Sequence, residues 1–114
     1  MIAVIFEVWP HPDARQSYLD IAASLADELR GMDGFLSVER FASLSEPDKL
    51  LSLSMWRDEA AVAAWRNRPR HRDAQSAGRD RVFRDYRLRI AAVVRDYGLN
   101  ERAEAPADSR ARHG

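Results

Sequence analysis

The first strand constrains this chain more than any other segment. Ile2 to Trp9 is rich in β-branched and aromatic residues, and Pro10 ends it. Its side chains alternate between two faces, and both are apolar. Ile2, Val4, Phe6 and Val8 lie on one; Ala3, Ile5 and Trp9 lie on the other, broken only by Glu7. A strand apolar on both faces has to be covered on both faces. A chain of 114 residues has helices enough for one side of a small sheet, so the other side needs a partner.

The rest of the chain supplies one side. Asp13 is placed to cap a helix, with Gln16 as its capping-box partner. Tyr18, Ile21, Ala22, Leu25 and Leu29 give it one apolar stripe, and Gly31 reads as a left-handed cap. Phe35 to Leu44 reads as a second strand, Ser45 to Lys49 as a turn around Pro47, and Leu50 to Trp56 as a third strand, also apolar on both faces. Asp58 caps the next helix, whose inward face carries Val62 and Trp65. Pro69 either breaks that helix or opens a second piece running to about Gly78, with His71, Ala74, Gln75 and Gly78 on one side. A charged connection from Arg79 to Asp85 leads to a last strand, Tyr86 to Asp96. Leu99 to Gly114 has no periodicity and reads as a mobile tail beyond a domain of residues 1–98.

The order β-α-β-β-α-β is the ferredoxin-like pattern of the α+β class. It predicts a four-stranded antiparallel sheet with helices on one face and the first and third strands as central neighbours. The uncovered apolar face predicts a homodimer, two sheets packed face to face into a dimeric α+β barrel.

Several function classes are excluded or left without support. Lys+Arg and Asp+Glu are equal at 18 each, which argues against a nucleic-acid partner. No Cys is present, so thiol chemistry and Cys-based metal sites are absent. His11-x-Asp13 lacks a third metal ligand, and the five Gly form no phosphate loop. No apolar run reaches the roughly 20 residues of a membrane span, and the N-terminus lacks a signal-peptide pattern, so the expected location is cytoplasmic.

Five residues stand out as site candidates, each with two readings. His71 is the best titratable group: a proton-moving base, or a helix-start His bonded to backbone. Glu7 sits on an apolar face: a desolvated base with a raised pKa, or a salt-bridge partner of Arg40 or Arg89. Trp65 is a pocket wall, a core anchor, or both. Arg40 either binds an anionic ligand or joins an interface ion pair, and Tyr86 either donates to a bound oxyanion or opens the last strand as a core residue. Arg79 is a secondary candidate, and Arg66, Arg68, Arg70 and Arg72 form a basic patch around Pro69.

The chain resembles the antibiotic biosynthesis monooxygenase (ABM) family of the dimeric α+β barrels. The segments that carry the resemblance are Phe6-Glu7-Val8-Trp9-Pro10, Tyr18-Leu19-Asp20, Asp33 to Phe41, Leu51 to Trp56, and Trp65-Arg66-Asn67 followed by His71-Arg72. They cover about residues 1–98. The resemblance implies a pocket between the helices and the sheet, O2 as oxidant, and a substrate that supplies the electrons itself. The leading expectation is therefore cofactor-independent oxidation of a small quinol-type, aromatic or polyketide substrate, with His71 or Glu7 moving the proton. A second expectation is haem binding or degradation with His71 as axial ligand. Haem-degrading members place a pocket Trp where Trp65 stands, but their paired His falls at Gln75 and their Asn at Glu7. A third is a non-catalytic dimer that binds a small molecule.

Overall fold

The computed structural model describes residues 1–77 and 82–114. Gly78 and Arg79, which the sequence reading drew on, lie outside the described residues. The elements are β1 (Ile2–Pro10), α1 (Arg15–Ser24), α2 (Ala26–Arg30), β2 (Phe35–Ala42), β3 (Leu50–Trp56), α3 (Glu59–Arg66), α4 (Pro69–Ala77), β4 (Phe83–Ala92) and α5 (Ala107–His113).

The four strands form one antiparallel sheet in the order β2-β3-β1-β4, so the ferredoxin-like expectation holds, with β1 and β3 central. Register assigns every side chain to a face, because residues opposite each other share one. Val8 stands opposite Leu50 and Tyr86, and Phe6 opposite Ser52 and Leu88. These belong to the helix-covered face, where two groups of buried residues form the core. One is Val8, Ala14, Tyr18, Leu50 and Val82. The other is Leu25, Leu29, Trp56, Ala61 and Trp65. Ile21 packs against both and joins them. The opposite face carries Ala3, Ile5, Glu7 and Trp9 of β1, and Leu51, Leu53 and Met55 of β3. Ile5, Leu51, Leu53 and Met55 are only half-buried there.

The hairpin and the start of α3 are tied together by local chemistry. Asp58 caps α3 by accepting from the Ala61 N–H at 2.9 Å. Arg57 forks onto Asp33 with two bonds of 3.0 Å, which pins the chain entering β2 to the chain leaving β3. Gly34 sits in that junction at φ +84°, and a Cβ there would lie 2.6 Å from the Ala61 Cβ.

Several boundaries differ from the sequence reading. Asp13 does not cap α1. Ala14 holds the cap position and its N–H donates to the His11 carbonyl at 2.8 Å. The first helix breaks at Leu25 into α1 and α2. Gly31 ends α2 at φ −83°, right-handed, and the left-handed turn falls at Gly34. β2 stops at Ala42, leaving Leu44 fully exposed. β4 runs from Phe83 to Ala92, so its register begins three residues before Tyr86, and Val94 lies beyond it. The segment read as lacking periodicity contains the short helix α5.

Candidate active site

Pro69 opens α4 because its missing N–H falls where a helix start has no partner to give it. The turn between α3 and α4 then folds His71 back over the end of α3. Its ring stacks on Trp65, centroids 4.7 Å apart and planes 21° from parallel. Its Nδ1 lies 3.2 Å from the Trp65 carbonyl oxygen. In the tautomer protonated at Nδ1 this bond is donated to the carbonyl, whereas Gln75 Nε2, 3.5 Å from the same nitrogen, donates to it only in the other tautomer. The first leaves the Nε2 lone pair free, the tautomer a general base requires. Burial is the leading cause that pushes the His71 pKa down, against the smaller raising effect of the bond to Trp65. Burial thus favours the neutral imidazole.

Trp65 is both anchor and wall. Its side chain is buried in the core group with Leu25, Leu29, Trp56 and Ala61, and one ring face carries His71. The two sequence readings of Trp65 are one arrangement.

The basic patch around Pro69 is largely committed to the fold. Arg68 meets Glu28 at 2.8 Å and Arg70 lies 3.8 Å from the same carboxylate. Arg70 also donates to the Ser24 carbonyl at 2.8 Å. Arg72 donates to Asn67 Oδ1 at 2.7 Å and to Gln75 Oε1 at 3.0 Å. These contacts lock α4 onto α1 and α2 and hold His71 in place.

The other candidates do not converge on His71. Glu7 faces the opposite side of the sheet, because it alternates with Phe6 and Val8. It is not a desolvated base. Lys49 Nζ lies 2.7 Å from one carboxylate oxygen and Arg89 2.7 Å from the other. These partners, Lys49 foremost, hold its carboxyl below the usual carboxylate range. A carboxylate so stabilised is a poor proton acceptor, which removes Glu7 from the proton-moving role. Of the two partners foreseen, Arg89 is present and Arg40 is replaced by Lys49. The sequence signal for Lys49 was parity: it shares its face with Leu51, which stands opposite Glu7.

Arg40 and Tyr86 do lie on the helix-covered face, but on the two edge strands. Arg40 stands opposite Ser52 on β2's side, and Tyr86 opposite Val8 on β4's side. Three strand spacings of about 4.8 Å put their backbones about 14 Å apart. Tyr86 joins an aromatic group with Phe6 at 5.8 Å and Phe83 at 6.0 Å, which Tyr18 completes. Tyr86, Leu88 and Ile90 keep 39%, 47% and 43% exposure, so the helices leave the β4 side of this face open. Arg40 is exposed and has no carboxylate partner among the described residues. No group of three His, Asp or Glu converges as a metal site among the described residues.

The profile of the family described as "Antibiotic biosynthesis monooxygenase" matches residues 1–77. The chain belongs to this family. The matched span runs from β1 through α4 and holds the whole Trp65–His71 arrangement. A relative named "Jasmonate monooxygenase ABM", from Pyricularia oryzae, is 48% identical over 101 residues. That alignment covers 89% of this chain and 47% of the relative, so the chain spans about half the length of the curated relative it matches. Among solved structures, Rv0793 from Mycobacterium tuberculosis superposes with a TM-score of 0.76 at 21% identity, covering 85% of this chain and 98% of that one. A conserved protein from Methanosarcina mazei gives 0.72 at 18% identity, covering 79% and 89%. These two likenesses bear on the fold.

Proposed function

We propose that this ABM-family chain is an O2-dependent monooxygenase that works without a resident metal or flavin on a small organic substrate that ionises as a phenol or enol. The observation that carries the reading is the His71 imidazole. Its Nδ1 lies 3.2 Å from the Trp65 carbonyl oxygen, and the tautomer that donates there leaves Nε2 to take a proton. Family membership and the 48% relative named for a monooxygenase support the reaction class.

In this reading Nε2 of His71 removes the substrate proton and stores it as imidazolium, one face of which lies against the Trp65 ring. The substrate anion reduces O2. For a CH2 flanked by aromatic rings, one oxygen atom becomes the new carbonyl, and the other leaves as water with the two hydrogens of the CH2. The Trp65 ring, on which His71 stacks, supplies an apolar plane beside the base. A quinol-type or polyketide substrate fits that surface, and jasmonate joins the panel because the relative is named for it.

Haem fits the residues less well. Of the haem-degrading positions, Gln75 stands for the His, and Glu7, on the opposite face, stands for the Asn. Of the basic patch that would face haem propionates, Arg68, Arg70 and Arg72 are engaged with Glu28, Ser24, Asn67 and Gln75. The test is oxygen-electrode consumption with anthrones, quinols and jasmonate on wild type and His71→Ala, with a haemin titration alongside. O2 uptake that falls about a hundredfold in His71→Ala is the expected result for loss of a general base. No uptake across the panel refutes the oxygenase reading. A Soret shift lost in His71→Ala replaces it with the haem reading.

A further inference from the structure

α4 carries His71 but brings little apolar surface to the fold. Among its described side chains none is buried, and only His71, Ala74 and Gln75 are half-buried. Such a helix depends on polar ties. Among the described residues, both ion pairs at the α3–α4 junction end on one carboxylate, that of Glu28 in α2. Arg68 Nε lies 2.8 Å from its Oε1, and Arg70 Nη1 lies 3.8 Å from its Oε2. Arg70 also donates to the carbonyl of Ser24, the last residue of α1, at 2.8 Å. The break at Leu25 turns that carbonyl and Glu28 toward the same guanidinium.

The junction leads directly to His71. The Arg68 N–H donates to the Trp65 carbonyl at 3.1 Å, the same oxygen that His71 Nδ1 faces at 3.2 Å. The Arg72 N–H donates to the Arg68 carbonyl at 3.0 Å and starts the first turn of α4. A displacement of Arg68 therefore moves both the partner of His71 and the turn that carries it.

Glu28 is an expensive way to make this tie. Its side chain is 16% exposed, while Arg68 and Arg70 keep 50% and 60%. Its Oε2 is buried and has no hydrogen-bond partner among the described residues. A desolvated carboxylate with one oxygen left unpaired adds little net stability; what it adds is a fixed position. We propose that Glu28 is the positioning residue of His71, holding the first turn of α4 through Arg68 and Arg70 so that the imidazole lies on Trp65. The role matters to turnover only if His71 is the base of the proposed reaction.

NMR of the full chain reads His71 without turnover, and His71→Gln identifies its imidazole signal among the three His. In wild type the Trp65 ring current displaces that signal upfield, and burial keeps its titration midpoint below the ordinary value near 6.5. Glu28→Met keeps the side-chain length and removes the charge. The upfield displacement should be lost and the midpoint should rise toward 6.5 as the ring leaves its buried place. The charged side chains acting on His71 are Arg72 from its own helix and Glu28, and burial outweighs both. Loss of the Glu28 charge with α4 still in place would lower the midpoint, so the sign separates positioning from charge. Arg68→Met should shift the signal in the same direction, and the double variant should go no further than Glu28→Met. Melting should stay within a few degrees of wild type, because Arg68 and Arg70 can turn to water. An unmoved His71 signal or a lowered midpoint in Glu28→Met overturns the proposal, as does an unmoved signal in Arg68→Met. A melting loss as large as that of a buried aromatic truncation would make Glu28 a stability residue and overturn it too; Glu28→Gln, nearer in shape, then reads the same signal in a folded chain. The oxygenase reading fails separately, by absent O2 uptake, whatever the His71 signal does.

Discussion

Trp65→Ala separates packing from chemistry at the candidate site. The Trp65 side chain is 8% exposed and touches the core group of Leu25, Leu29, Trp56 and Ala61. A buried Trp removes about 150–250 Å2 from water. At about 25 cal/mol per Å2 that amounts to about 4–6 kcal/mol, an upper figure because the unfolded chain already hides some of it. Truncations of buried aromatic residues in other proteins cost about 3–5 kcal/mol. Such a loss is a large share of the roughly 5–15 kcal/mol that holds a domain together. Thermal unfolding followed by circular dichroism should show a drop of more than 10 °C for a domain of this size. The variant also removes the plane on which His71 rests at 4.7 Å, so residual activity should fall beyond the loss of folded protein. Trp65→Phe keeps an aromatic plane and most of the volume; it should cost about 1–2 kcal/mol and retain turnover per folded molecule. A Trp65→Ala protein that melts within 2 °C of wild type would refute the core assignment, and with it the idea that α3 is what positions His71.

Three further outcomes follow from particular residues. Gly34→Ala should cost about 2–4 kcal/mol by urea unfolding, since its φ of +84° disfavours any L side chain and the new Cβ would meet Ala61 at 2.6 Å. His71 is held neutral by the fold, with its pKa below the unfolded value near 6.5. The stability this neutral ring provides is present above that value and is lost as pH falls through the lower folded pKa. The melting temperature should therefore decline from pH 7 to 5, and less so in His71→Gln; an identical decline in both would assign it to other groups. Leu53→Asp places a charge in the middle of the uncovered sheet face. Light scattering should then show a mass near 13.0 kDa where wild type gives about twice that, and a monomeric wild type would sink the sheet-to-sheet reading.

The fold was legible because its signals are redundant. Alternation in β1 and β3, the stripe in α1, Asp58 before α3 and Pro69 at the start of α4 all point to one topology, and an error in one is corrected by the others. The misplaced features were those with a single local signal. Asp13 has the right residue type for a cap yet lost the position to Ala14, and Gly31 ends α2 as expected but right-handed, with the left-handed turn at Gly34. Gly34 holds the positive φ because Arg57 and Ala61 crowd that turn, a contact between segments far apart in sequence. The start of β4 was missed because Phe83 pairs with Pro10, past the register shift between Trp9 and Pro10.

The site was less legible because function here depends on which side of a sheet a residue faces, and on who else faces the same way. Glu7 and Phe6 are adjacent in sequence and belong to different surfaces. The alternation that identified β1 already carried that information, and it separates Glu7 from His71 once Trp65 and Tyr18 show which face the helices take. Lys49 was the group that sequence reasoning passed over, since a lysine in a polar turn has no local mark of importance. Only the hairpin register brings it to Glu7. The same sheet thus presents two chemically different surfaces. One carries the His71 imidazole stacked on buried Trp65 and, toward β4, the aromatic group of Phe6 and Tyr86. The other carries the Lys49–Glu7–Arg89 ion pairs among apolar side chains.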